Sequence, residues 1–216
     1  MVEKVYVTYN DVHKLCQEAA PAMLASFQPQ LMIAIGGGGY VPARILRSFL
    51  KQTGQPNIPI QAIGLSLYEE LPTTHSDNAT PGVVDQIGTK VTRTQWLDFS
   101  SLGGMENLVG KRILIVDEVD DTRTTLEYAV RELQKDVEAV SQKLGRAAEK
   151  TQFNIFVLHN KDKTKKGTLP SDMMDNKRYH AARTVGDIWI CYPWEATDID
   201  EHDKMAAQQT NQNASA

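Results

Sequence analysis

The sequence predicts an α/β protein: a mostly parallel, open sheet with helices on both faces. Three observations carry this. Short apolar runs without alternation recur at residues 31–35, 60–65, 113–116 and 153–158, as expected of strands buried on both faces. Helical spacing of apolar residues follows two of these runs, the alternation that builds a covered parallel sheet. Two runs also end in turns of unusual composition, glycines at 36–39 and carboxylates at 117–121. Ligands of open α/β sheets bind at such carboxyl ends of strands.

A chain of 216 residues can form one domain with a proper core. Its formal net charge of −4 gives no electrostatic reason to expect a nucleic-acid partner. No apolar run approaches the ~18 residues of a membrane span, and the first residues lack the apolar core of a signal peptide. Cys16 and Cys191 have no metal-ligand spacing and fit reduced thiols. A cytoplasmic protein without membrane contact is expected.

In chain order, Asn10 or Asp11 is expected to cap a helix bearing Val12, Leu15, Cys16, Ala19, Met23 and Leu24 on one side. Pro21 should kink or divide it. The strand at 31–35, the glycines and a helix over 41–50 form one unit, with Pro42 in the first helical turn. Another strand follows at 60–65. From 69 to about 90 the composition turns to Pro, Thr, Asn and acidic residues, which marks a functional lid or a disordered insert. A returning strand is expected at 91–97. The run 113–116 leads into a helix running to about residue 150. Strands are expected at 153–158 and 179–185, and a short edge strand and turn at 188–194, where a proline interrupts. The tail beyond Lys204, rich in Ala, Gln, Asn and Ser, should be loose.

The stretch after residue 116 is the most specific. Asp117, Glu118, Asp120 and Asp121 fall within five residues, and Thr122, Arg123, Thr124 and Thr125 follow. Hydroxyls and amides opening a helix suit a phosphate dianion. Side-by-side carboxylates suit vicinal hydroxyls or Mg2+. Together they have the shape of a ribose 5-phosphate site. A plain acidic helix start, favoured by the macrodipole, needs fewer carboxylates. Gly37, Gly38 and Gly39 let backbone amides approach an anion, or simply make a tight turn. The dinucleotide spacing fails at Val41, and no Walker pattern is present. Lys161 follows a buried strand; it is a surface cation or a donor at the ligand end of the sheet. Trp189 is core or a platform for a base.

Residues 113–125 closely resemble the phosphoribosyl-pyrophosphate (PRPP) motif of the type I phosphoribosyltransferases. Residues 35–44, 65–68, 93–96, 156–161 and 189–195 resemble the 6-oxopurine branch, the fungal hypoxanthine-guanine and xanthine enzymes in particular. The resemblance spans nearly all of residues 6–202. It implies that fold, with residues 1–204 as one domain, a mobile active-site loop at about 69–90, and a small hood from about 159–202 with the N-terminal segment. It implies transfer of the 5-phosphoribosyl group from PRPP to N9 of guanine, hypoxanthine or xanthine, in purine salvage, giving nucleotide and pyrophosphate. Asp117 and Glu118 would bind the ribose hydroxyls and Mg2+, and Glu195 would lie near a second Mg2+. Asp121 would face N7 as proton acceptor or donor. Asp121 to Thr125 would hold the 5-phosphate, and Gly37 to Gly39 would line the pyrophosphate. Lys161 would donate to the 6-oxo group, Trp189 would stack on the base, and Ile190 would offer backbone groups to its other edge. A homodimer or homotetramer is implied. Two departures stand out. Many relatives carry Gly-Lys or Gly-Gly where this chain has Arg123-Thr124, and Lys or Arg where it has Gly37, so Arg44 or Arg47 becomes a candidate cation for the pyrophosphate. Competing readings are a phosphoribosyltransferase for another base, a non-catalytic PRPP-sensing regulator on the same fold, and a nucleotide-binding oxidoreductase.

Overall fold

The structure is a computed structural model that describes residues 3–69, 89–97 and 105–214. In chain order the elements are β1 (Lys4–Tyr6), α1 (Tyr9–Ser26), β2 (Leu31–Gly36), α2 (Tyr40–Leu50), β3 (Ile60–Glu69) and β4 (Thr89–Gln95). Then come β5 (Arg112–Asp120), α3 (Thr124–Lys143), β6 (Gln152–Lys161), α4 (Ser171–Asp175), β7 (Tyr179–Val185), β8 (Trp189–Cys191) and α5 (Ile199–Ala214). The main sheet has the order β4-β3-β2-β5-β6-β7, all parallel except β4, which returns antiparallel to β3. The expected loop between β3 and β4 lies, at 70–88, outside the described residues.

The apolar runs show no alternation because both faces of the sheet are covered. Ile113 and Ile115 of β5 pack with Leu126, Val130 and Leu133 of α3. Leu114 and Val116 pack on the other face with Met23 of α1 and Leu46 of α2. Full burial of each such side chain contributes roughly 1.5–3 kcal/mol. α2 lies on one face and α3 on the other, and the chain leaves β2 towards β3 but β5 towards β6. Beyond the carboxyl ends of β2 and β5 this reversal opens a crevice.

Several boundaries differ from the sequence expectation. The cap of α1 is Thr8: its Oγ1 accepts from Asp11 N at 3.1 Å, while the Asp11 carboxylate accepts from Thr8 N at 3.0 Å, a reciprocal capping box. The helix runs through Pro21 undivided. Pro21 and Gln17, four residues earlier, are both exposed, so water can take the carbonyl that loses its bond. α3 stops at Lys143 rather than near 150. Gly145 takes φ +68°, with Arg146 N bonded to Ser141 O at 2.9 Å and Gly145 N to Gln142 O at 3.1 Å, a glycine-terminated helix end. β8 does not join the edge of the main sheet but pairs in parallel with β1 as a separate ribbon.

The expected loose tail is instead helical to Ala214. Ala206 is buried, and the Gln209 side chain accepts from Tyr6 N at 2.9 Å and donates to Lys4 O at 2.5 Å. These tertiary contacts hold a segment whose composition alone does not demand structure. Among the described residues no helix is long and apolar enough to cross a membrane.

α2 starts hard against the sheet. A Cβ on Gly39 would stand 2.3 Å from Val116 O and 2.7 Å from Ile35 O, so no side chain fits without moving backbone. Gly39→Ala is therefore expected to lower stability by roughly 1–3 kcal/mol, read as a shift of the urea unfolding midpoint; an unchanged midpoint would show that the helix start can slide.

Candidate active site

β5 carries its backbone straight from the core into the crevice. Its last turn brings Asp117, Glu118, Asp121, Thr122 and Thr125 to a cavity of about 660 Å3, whose lining also includes Gly36, Gly37, Gly38 and Tyr40 after β2 and Trp194 and Glu195. That volume is in the range of small-molecule sites.

Asp117 and Glu118 are withdrawn from solvent. Desolvation, reinforced by neighbouring carboxylates, pushes the Asp117 carboxyl up to about 8. Burial likewise pushes Glu118 up to about 7, partly opposed by its bond from Trp194. Trp194 Nε1 donates to Glu118 Oε2 at 2.7 Å. The Glu118 side chain lies across Gly38, where a Cβ would sit 2.2 Å from its carboxyl carbon, so the glycine leaves room for the acid. The Tyr192 hydroxyl donates to Glu118 O at 3.1 Å and bonds His159 Nδ1 at 2.9 Å. Burial holds His159 down to about 4, so its neutral ring donates from Nδ1 to the tyrosine oxygen.

Arg123 is left-handed, with φ +68°, a conformation that glycine adopts most readily. Its side chain turns away from a phosphate role. Nε and Nη2 donate to Asp120 Oδ2 at 3.0 and 2.9 Å, and the guanidinium lies 5.0 Å from the Tyr179 ring centre. Tyr179 also donates to Asp120 Oδ2 at 2.7 Å. Asp120, with its side chain fully buried, is thus a structural counter-ion and not a ligand for sugar or metal. No side chain caps α3, and its first-turn amides have no partner within the helix, so they remain available to an anion. The Thr122 and Thr124 hydroxyls are 3.0 Å apart.

Asp121, half-exposed, faces Lys161 Nζ at 3.5 Å and Lys163 Nζ at 3.1 Å. The same two lysines approach Asp187 at 3.9 and 2.8 Å. Lys161 is the last residue of β6, as its expected place at the ligand end of the sheet requires. Trp189 is 57% exposed and lines a neighbouring cavity of about 440 Å3, which shares Glu195 with the first. Ile190 is buried, paired with Val5.

Not every expected residue reaches the main cavity. Gly39, Thr124, Lys161, Trp189 and Ile190 are not on its wall: Gly39 is seated on the sheet, Thr124 bonds to Thr122, Lys161 stands next to Asp121, Trp189 lines the neighbouring cavity and Ile190 is buried in the core. Arg44 and Arg47 are also away from it; Arg44 bonds Ser48 at 3.0 Å. Sequence reasoning assigned no side-chain role to Tyr40, Trp194, Tyr192 or Lys165. Only the pairing of an aromatic with the acidic turn could have pointed to the first three, and nothing separates Lys165 from its lysine neighbours.

The described wall thus carries Asp117, Glu118, Asp120, Asp121 and Glu195 against the single cation Arg123, already paired with Asp120. A polyphosphate can settle there only with compensating charge. Two adjacent carboxylates with oxygen donors fit Mg2+ shared with substrate phosphates.

The chain is 56% identical to xanthine phosphoribosyltransferase 1 of Saccharomyces cerevisiae over 96% of its own length and 97% of the relative's. It is 57% identical to the hypoxanthine-guanine phosphoribosyltransferase of Schizosaccharomyces pombe, covering 95% of each chain. Among solved structures, a hypothetical protein from Neisseria gonorrhoeae with bound ppGpp superposes with a TM-score of 0.72 at 36% identity, covering 97% of this chain and 98% of that one. No family model matches.

The two raised carboxyls bind protons more tightly folded than unfolded. Their effect is a loss of stability as pH rises from about 4 towards about 8. His159, held near 4 when folded, acts in the opposite sense below its ordinary 6.5, so the clean window lies above that. Between about pH 6.5 and pH 8 the Tm of the ligand-free protein is expected to fall, and Asp117→Asn to flatten the slope. A wild-type Tm that rises across this window would contradict the burial of these acids.

Proposed function

The chain belongs to the hypoxanthine-guanine and xanthine phosphoribosyltransferases, and from that membership we propose how its residues divide the work of purine salvage. The protein is a pentosyltransferase that joins a phosphoribosyl group to a 6-oxopurine. The observation that carries the site reading is the acidic turn at the end of β5, facing the glycine turn of β2 across one cavity.

In this reading the 5-phosphate takes the free amides at the start of α3 and the Thr122 and Thr125 hydroxyls. The adjacent carboxylates Asp117 and Glu118 hold the ribose diol, and Trp194 fixes the Glu118 carboxylate. Gly37 and Gly38 present backbone amides to the pyrophosphate. A Cβ at Gly37 would meet nothing within 4 Å, so that turn is open towards a ligand. Asp117 and Glu118 would hold Mg2+, which when bound neutralises pyrophosphate charge. Glu195, on the wall of the same cavity, would lie near a second ion, as among the described residues no three acids gather closely enough to hold one metal. Ionising both raised carboxyls for this role releases protons at neutral pH.

The purine lies between the main cavity and the neighbouring one. Lys161 donates to its 6-oxo group, the exposed Trp189 ring stacks on it, and the Ile190 backbone meets its far edge. N9 forms a bond to C1 of the ribose as the bond from C1 to the pyrophosphate oxygen breaks, and Asp121 takes the proton from N7. Most of the rate comes from holding the reactants in line and stabilising the leaving group. The reading keeps the enzyme cytoplasmic and homo-oligomeric. Both cysteines are free, and burial pushes the Cys16 thiol up to about 12, which suits a reducing compartment.

Pyrophosphate release from PRPP with guanine, hypoxanthine or xanthine separates this reading from a sensor or an oxidoreductase. Competition among the three bases, read as ratios of kcat/KM, ranks them. Asp121→Asn is expected to cut kcat by about 10²–10⁴-fold with a small change in KM for PRPP; full turnover in that variant would remove the acid–base role.

A further inference from the structure

Lys165 belongs to neither substrate subsite, yet its ammonium ties the two together. It donates to three backbone carbonyls: Asp120 O at 2.8 Å, Asp121 O at 2.9 Å and Lys161 O at 2.8 Å. An ammonium has three N–H donors and no acceptor, so this set uses all of them. Asp120 Oδ1 stands a further 3.4 Å away, and the lysine side chain is only 15% exposed.

The three carbonyls come from two strands. Asp120 ends β5 and Asp121 follows it, whereas Lys161 ends β6. The last paired residues of the ladder between these strands are Asp120 and Asn160. Lys165 therefore clamps the strand ends where regular pairing stops. Its own segment is anchored from the next residues: Lys166 N and Gly167 N donate to Thr122 O at 2.9 and 3.0 Å. Gly167 fits so closely that a Cβ there would lie 2.6 Å from Arg123 O. The lysine thus reaches back from a fixed base, and each of its bonds is charge-assisted.

Resting on the reading above, in which the β5 turn binds PRPP and Lys161 meets the base, we propose that Lys165 is a positioning residue that fixes the two subsites relative to each other. It touches neither substrate. Through Asp120 O and Asp121 O it holds the backbone of the β5 turn, and through Lys161 O it holds the strand end that carries the donor to the base. Neutralising Asp120 alone would not require it, because Arg123 and Tyr179 already bond that carboxylate.

The test uses the full chain, with Lys165→Met, Lys165→Arg and Lys165→Gln assayed by pyrophosphate release at varied PRPP and guanine. Lys165→Met is expected to raise both KM values about tenfold while kcat falls less than about threefold, the pattern of lost binding geometry rather than lost chemistry. Lys165→Arg, with five N–H donors, is expected to recover at least half of the wild-type kcat/KM. Should Lys165→Met not fold, Lys165→Gln, with two donors, carries the same test at a smaller rise. A lowered Tm with both KM values unchanged, or a rise in only one of them, would overturn the proposal. A wild-type protein inactive with every purine would overturn the underlying reading, whereas unchanged KM values in an active Lys165→Met would overturn only the clamp.

Discussion

β5 is buried on both faces and ends in charge, and the architecture around it answers that conflict. A buried carboxylate is costly unless it is paired or bound to a ligand. Asp120 is paired, by Arg123, Tyr179 and the nearby Lys165. Among the described residues no ion pair neutralises Asp117 or Glu118, and burial raises both pKa values. The same strand end thus separates carboxylates that hold the loop from carboxylates left for a ligand. Perturbed acids of this kind, facing a cavity, are the usual mark of a functional site.

Much of this was legible in the chain. Unalternating apolar runs located β2, β3, β5 and β6, because burial on both faces erases the two-residue period. The carboxylates at 117–121 and the glycines at 36–39 pointed to the two walls of one cavity before any geometry was known. Strand order was not legible, since adjacency of β2 and β5 depends on which way each crossover turns. Thr8 was passed over as a cap because Asn10 and Asp11 are as good by type; only the reciprocal bonds distinguish it.

The sign of φ at Arg123 bears on the residue whose task the sequence leaves open. An arginine beside a phosphate loop reads naturally as a phosphate ligand. A left-handed backbone and a buried acid three residues back redirect it, and neither is visible in residue type. Lys165 was hidden for a related reason. It stands among Lys161, Lys163 and Lys166, and only the fold gives one of these an inward path to three carbonyls. Asp120 has no role that residue type alone assigns; its burial makes it the partner that Arg123 answers.

The Gln209 amide, bonded to the backbone of β1, makes the fold depend on the order in which the chain is made. β1 is made well before its strand partner β8 and its clasp on α5, with Tyr6 and Gln209 203 positions apart. Contacts so distant in sequence form late, after the loop-closure entropy has been met elsewhere. All six strands of the main sheet precede β8 and α5 in the chain, so the sheet can assemble before the ribbon that carries Trp189 gains its clasp. In a nascent chain the turns that end β2 and β5 are therefore complete before the ribbon that carries Trp189 has its clasp.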